Sequence, residues 1–288
     1  MKLAVLCVYM FDQTTEGLAR IQLDRLRRHT KCRYSVYGSV SKLDNRGRAL
    51  LSEYSEVTQI DTGAAEGFRE DHNHQLEGLR HQAKVDGSDR FITLHLDSFP
   101  LSDDWLAVFE AGLEMGAAFS SIVPYCFNAG LYWDVAWENQ SASMLGDPMM
   151  RDQFASAHPH LDGNDGGVGF FHHAFSNGLC WHSVEQSHTN VWSFVLFHLV
   201  GSTRLTSLDV IPARIPKPLR LARGVASPVL TMLPVRLRSR IIQRLRSPFT
   251  VKEHSTARDG TMSDKRARLG ELLEDPDGFL EHCLSETD

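Results

Sequence analysis

The sequence predicts an α/β protein: an open, mostly parallel sheet flanked by helices, followed by a helical C-terminal appendage. Three observations carry this. Residues 2–9 form a continuous apolar run, as a parallel strand buried on both faces requires. Over the first half, strand-like and helix-like segments alternate at βαβ spacing. After about Pro212 the composition shifts, and from Arg204 to Lys252 Arg and Lys abound with almost no acids. The expected division is a sheet domain at 1–210 and a basic, mainly helical appendage at 211–288.

The elements are read in order. The strand at 2–9 leads into a helix capped by Thr14 or Thr15, with Leu18, Ile21, Leu23 and Leu26 on one face. Residues 34–40 and 57–61 are strands, the second ending on Asp61. Residues 72–84 are helical with Leu76 and Leu79 inward. Residues 90–96 form a strong strand, 105–115 a helix and 118–124 a strand. Residues 127–168 are rich in Trp, Asn, Gly, Asp and Met with weak periodicity, and read as long functional loops. A helix at 170–177, a strand at 191–199 and a polar, charged helix near 266–273 complete the chain. In such a sheet ligands bind outside the carboxyl ends of the strands. The acids at residues 9–12, Asp61 and Asp97 would then face one crevice.

The bulk properties exclude several classes. Across 288 residues the formal net charge is -6, which offers no electrostatic footprint for nucleic acid. The five cysteines are odd in number and scattered, without a CxxC pair, as expected of reduced thiols in the cytoplasm. The apolar start is short, is preceded only by Lys2 and lacks a small-residue cleavage site, so it reads as a strand and not a signal peptide. No stretch approaches the roughly 20 apolar residues of a membrane span.

Four segments carry chemistry. The first is Phe91-Ile-Thr-Leu-His95-Leu-Asp97-Ser98-Phe99-Pro100. A strand that delivers a carboxylate at its end sets a charge on the sheet rim, where it can hold a divalent cation against a diphosphate. The plain alternative is a loop cap. The second is His198-Leu-Val-Gly201-Ser-Thr-Arg204. A neutral imidazole suits manganese or a softer metal, the glycine admits close phosphate approach, and Arg204 can fork onto phosphate oxygens. A core histidine is the competing reading. The third is Leu161-Asp162-Gly163-Asn164-Asp165-Gly166-Gly167, a loop ending at a helix start, without the closing Glu of an EF-hand. The fourth is the basic amphipathic helix expected at 235–246, fit for an anionic membrane surface or for pairing with the acidic residues 271–277.

The stretch His74-Gln-Leu-Glu-Gly78-Leu79, then Gly87-Ser-Asp-Arg90, the strand with Asp97, Phe99-Pro100 and Trp105-Leu106, resembles bacterial family 2-type glycosyltransferases of the GT-A fold. The resemblance extends over about residues 1–205. It implies a hexosyltransferase-like enzyme, metal-assisted by Mn2+ or Mg2+ and inverting. A sugar would pass from a nucleotide-sugar donor to a hydroxyl of a glycan, lipid-linked or surface-polysaccharide precursor. The enzyme would be cytoplasmic, at the inner face of the membrane where the basic segment touches it. Where the family carries Asp-x-Asp, this chain has His95-Leu-Asp97. The retained acid gives Asp97 the metal, and the late His-x-x-Gly segment adds His198. His95 would contact ribose or metal, or pack. The resemblance also implies donor contacts at Tyr9, Asp61, His74 and Arg204, and an acceptor-side base at Asp165, with Asp162 as second choice. The lost first acid also fits a glycosyltransferase-like protein that binds nucleotide sugar without turnover.

Overall fold

The protein is described from a computed structural model, over residues 2–63, 68–122, 129–133, 148–158, 167–199 and 262–285. Its strands are β1 (Leu3–Val8), β2 (Tyr34–Ser39), β3 (Val57–Ile60), β4 (Arg90–Leu94), β5 (Ser98–Pro100), β6 (Phe119–Ile122), β7 (Ala129–Trp133), β8 (His182–Val184), β9 (Gln186–His188), β10 (Val191–Trp192) and β11 (Leu196–His198). Its helices are α1 (Glu16–His29), α2 (Asn45–Leu51), α3 (Phe68–Val85), α4 (Trp105–Glu114), α5 (Pro148–Ala157), α6 (Val168–Ser176), α7 (Met262–Glu274) and α8 (Pro276–Ser285).

Seven strands form the main sheet in the order β3-β2-β1-β4-β7-β6-β8. β1 pairs in parallel with β2 and β4, and β2 with β3. β7 runs antiparallel between β4 and β6, and β6 pairs in parallel with β8. The α/β, mostly parallel sheet read from the sequence is therefore present. The chain moves outward through β2 and β3, then returns by α3 to the other side of β1. The order reverses between β1 and β4, the point at which open α/β sheets bind ligands.

The apolar runs explain the burial. Every residue of β4 is buried, as are the first five of β1, because helices cover both faces. Ala4 and Leu6 join Leu76, Leu79 and Ala83 of α3 and the aromatic residues of α5 and α6 in one core cluster. The alternate residue Cys7 points the other way, to Gln22 of α1. A second sheet, β5-β11-β10-β9, is antiparallel throughout.

Several expected elements change. The strand expected at 191–199 is a hairpin: Ser193 and Phe194 adopt φ of 46° and 59° and reverse the chain between β10 and β11. The loop expected at 127–168 contains β7, buried in the main sheet, and α5. The chain divides into two compact units, Met1–Val200 with Gly270–Asp288, and Gly201–Leu269. The segment from 270 onward belongs to the first unit. There Asp277 pairs with Arg25 and Arg28 of α1. The basic segment 235–246 lies outside the described residues. Among those described, no helix is long and apolar enough to cross a membrane.

Gly38 of β2 sits under the ring of Tyr9, and a Cβ there would meet Tyr9 Cε2 at 2.7 Å. The Tyr9 ring is fully buried and has no open space to move into. Gly38→Ala is expected to cost about 1–3 kcal/mol through overpacking, read as a lower urea midpoint at unchanged slope. An unchanged midpoint would show that the ring yields freely.

Candidate metal centre

The site begins where β4 ends. His95, Leu96, Asp97 and Ser98 form a tight turn closed by the Ser98 N–H donating to the His95 carbonyl at 2.9 Å. The turn reverses the chain into β5. β5 pairs with β11 so that Ser98 lies opposite His198, and the Leu199 N–H donates to the Asp97 carbonyl at 3.0 Å. This register carries a histidine from late in the chain to the rim of the first sheet.

The result is a compact group. His198 Nε2 lies 3.6 Å from Asp97 Oδ1, and His95 Nδ1 lies 3.9 Å from the same oxygen. His95, Asp97 and His198 offer ligand atoms that all fall within 4.8 Å of one another. Asp97 is 1 % exposed and His198 fully buried, whereas the His95 side chain keeps 27 % of its surface and opens the group to solvent. His72 of α3 stands edge-on to His95, with ring centroids 5.2 Å apart, and Trp192 lies 5.6 Å from the His198 ring.

Burial keeps the imidazoles of His95 and His72 neutral. Burial pushes the His95 imidazole down to about 3, with His72 and His198 adding to the effect and Asp97 opposing it. Burial, reinforced by Lys42, pushes His72 down to about 4 against the pull of Asp71. Neutral imidazole is the form that ligates a metal. Two ring nitrogens and a carboxylate oxygen are a donor set for a divalent transition ion. With bonds of about 2.1 Å an ion spans ligand atoms up to about 4.2 Å apart, so both contacts to Asp97 lie within its reach.

The other expected residues fall as follows. Tyr9 closes β1 with its ring in the core, against Phe11. Asp61 follows β3 on the same sheet edge as Asp97, because β1, β3 and β4 run the same way. It accepts from Arg48, Ser41 and the Gly63 N–H, and these, Arg48 foremost, hold its carboxyl below the usual range. His74 is exposed and lies 3.0 Å from the Thr62 carbonyl. Arg204, Asp162 and Asp165 lie outside the described residues.

Two neighbours of the group escaped sequence reading. His72 lies only two residues from His74, yet the two rings diverge, since positions two apart do not share a helix face. Gln22 carries a legible signal. It stands four residues from Leu18 and from Leu26, on the buried stripe of α1, where an apolar residue is the norm.

No protein-family model matches the chain, and no curated protein matches it. Among solved structures, S. aureus TarS 1-349 with UDP-GlcNAc is similar at 12 % identity and a TM-score of 0.35, over 49 % of this chain and 48 % of that one. The match thus spans about half the TarS fragment. The mannosyltransferase PcManGT from Pyrobaculum calidifontis, with GDP-Man and Mn2+, is similar at 13 % identity and a TM-score of 0.42, over 97 % of this chain and 84 % of that one. The galactosyltransferase LgtC with donor and acceptor sugar analogs is similar at 12 % identity and a TM-score of 0.34, over 63 % and 73 %.

The depressed imidazoles make stability depend on pH. Folded His72 and His95 sit below their ordinary 6.5, so between those values the unfolded chain binds more protons. Their contribution is complete above about pH 6.5 and is lost progressively as pH falls below it, down to about 4 for His72 and about 3 for His95. The free energy of urea unfolding is expected to fall from pH 7 to pH 4.5, and His95→Asn to make that fall shallower. An equal slope in the variant would show that His95 titrates normally in the folded chain.

Proposed function

We propose that this chain is a nucleotide-sugar-dependent glycosyltransferase of the GT-A type. The observation that carries the reading is the joining of Asp97, at the end of β4, with His198 of β11, beside the reversal of strand order. It is supported by the donor chemistry of the His95, Asp97 and His198 group and by the sequence resemblance around Gly78–Leu106.

In this reading Asp97 and His198 hold Mn2+ or Mg2+, and His95 borders them in place of the family's first acid. The bound ion would supply Lewis-acid neutralisation of the departing nucleoside diphosphate. Asp61, at the end of β3, stands on the nucleoside side, with His74 and Arg204 toward the phosphates, while the buried Tyr9 ring packs in the core and makes no donor contact. Asp165, or Asp162 in its stead, takes the proton from the acceptor hydroxyl as it attacks the anomeric carbon, with inversion. The acceptor is a glycan or a lipid-linked or surface-polysaccharide precursor. The basic stretch at 235–246 fits peripheral contact with the inner face of the cell membrane. The second reading, a nucleotide-sugar-binding protein without turnover, is favoured by one observation: an imidazole stands where the first acid belongs.

Thermal shift against nucleoside diphosphates tests the metal. Stabilisation is expected to be larger with Mn2+ than without, and Asp97→Ala to remove the increment. An increment that survives Asp97→Ala would end the assignment. Transfer assays test the base. Asp165→Asn is expected to bind nucleotide sugar like the parent while turning over about a hundredfold more slowly, since a base acts only in the transition state. Normal transfer in both Asp165→Asn and Asp162→Asn would exclude that loop as the source of the base. A parent that binds donor but neither transfers nor hydrolyses sugar would establish the second reading.

A further inference from the structure

Gln22 is a fully buried amide in the middle of α1, between the buried Ile21 and Leu23. Its Nε2 donates to the carbonyl oxygens of both His95 and Ser98, the latter at 2.9 Å. Its Oε1 accepts from Cys7 Sγ of β1 at 3.5 Å. The two carbonyls are the first and last of the turn that presents Asp97. A primary amide has two N–H donors, fixed in one plane, and here both are spent on one turn. The His95 carbonyl also accepts from the Ser98 N–H, so backbone and side chain grip the turn at the same atom.

We infer that Gln22 is a positioning residue for the His95, Asp97 and His198 group. A buried polar side chain in mid-helix is costlier than an apolar one unless its bonds are made. Leu or Met would fill the same space on the stripe of α1. What the amide adds is a fixed separation between the end of β4 and the start of β5. That separation sets the direction of Asp97. Through the pairing of Ser98 with His198, it also sets where His198 meets Asp97. Cys7, on the neighbouring strand, completes the hold: burial pushes its thiol well up, so it remains a neutral S–H that can donate to Oε1. Gln22 touches none of the three ligand atoms and acts only through the backbone that carries them.

This inference rests on the metal assignment proposed above, and its test separates the two. Mn2+ is titrated into the full chain well below its unfolding temperature, with free ion followed by electron paramagnetic resonance. Four proteins are compared: the parent, Gln22→Met, Gln22→Glu and the core control Leu18→Ala. Gln22→Met keeps length without donors and is expected to weaken Mn2+ binding about tenfold or more, as loss of a partner behind metal ligands does. Gln22→Glu, which donates one bond when protonated, is expected to fall between Met and the parent. Leu18→Ala, destabilised from the same helix, is expected to keep the parental Kd. Parental binding by Gln22→Met overturns the inference. So does equal weakening by Leu18→Ala, which would mean general loosening, or failure of both Gln22 variants to fold, which would make the residue a folding determinant. A parent that binds no Mn2+ overturns the metal assignment and this inference with it.

Discussion

Enclosing one carboxylate organises this molecule. Asp97 is 1 % exposed at the end of a strand buried along its whole length. Taking a carboxylate out of water costs several kcal/mol unless the surroundings answer it. Sequence-distant pieces converge around it: the turn after β4, β11 with His198, α3 with His72, and α1 with Gln22 behind the turn. The imidazoles of His72 and His95 are held neutral by burial. They therefore offer nitrogen lone pairs and N–H groups, not positive charge. A divalent cation suits such a set better than a proton does, because it draws on the carboxylate and the ring nitrogens together.

The rest of the sheet rim is polar in a different way. Beyond β1, the ends of β2 and β3 carry a continuous hydrogen-bonded chain. Lys42 meets Asp71, Asp71 accepts from Gln75, Gln75 accepts from Ser39, and Ser39 meets Thr62. Ser41 lies 3.2 Å from Thr62 and donates to Asp61, which also holds Arg48. Ser39 and Ser41 spend their protons on Gln75 and Asp61, so Thr62 donates to one of the two serines, and the network holds its side chains to few arrangements. One edge of the sheet thus has two halves, a nitrogen-rich group at β4 and a hydroxyl and amide network at β2 and β3.

The first half of the fold was legible because its signals are local. β1 and β4 announce themselves as unbroken apolar runs, and Asp97 stands out as the charge that ends one. The losses have physical causes too. β7 is five residues, Ala-Gly-Leu-Tyr-Trp, too short to show a period and surrounded by loop-like composition. The β10–β11 hairpin turns on Ser193 and Phe194 at positive φ, a conformation normally announced by Gly or Asn, so the apolar stretch read as one strand. Asp97 and His198 could be named from sequence, but the pairing of Ser98 with His198 that unites them is a long-range register no local pattern encodes. Gln22 was visible as a polar break in an apolar stripe and meaningless until its two acceptors were known.

The second sheet shows how a late histidine is held beside Asp97. β11 is only three residues long, and so short a strand has little pairing of its own to fix it. Its neighbours supply the constraint. Phe197 stacks on Phe99 of β5 at 5.2 Å and meets the ring of Phe279 from α8 at 5.8 Å. Side chains alternate along a strand, so while Phe197 is clamped between those rings, His198 is turned to the opposite side, toward Asp97. α8 is itself tied to α1 through Asp277 with Arg25 and Arg28, and α1 carries Gln22. The closing helix and the first helix therefore brace the two strands of the site from behind, one through an aromatic ring and one through an amide. The C-terminal segment is in this sense part of the support of the His95, Asp97 and His198 group, although nothing in its composition points there.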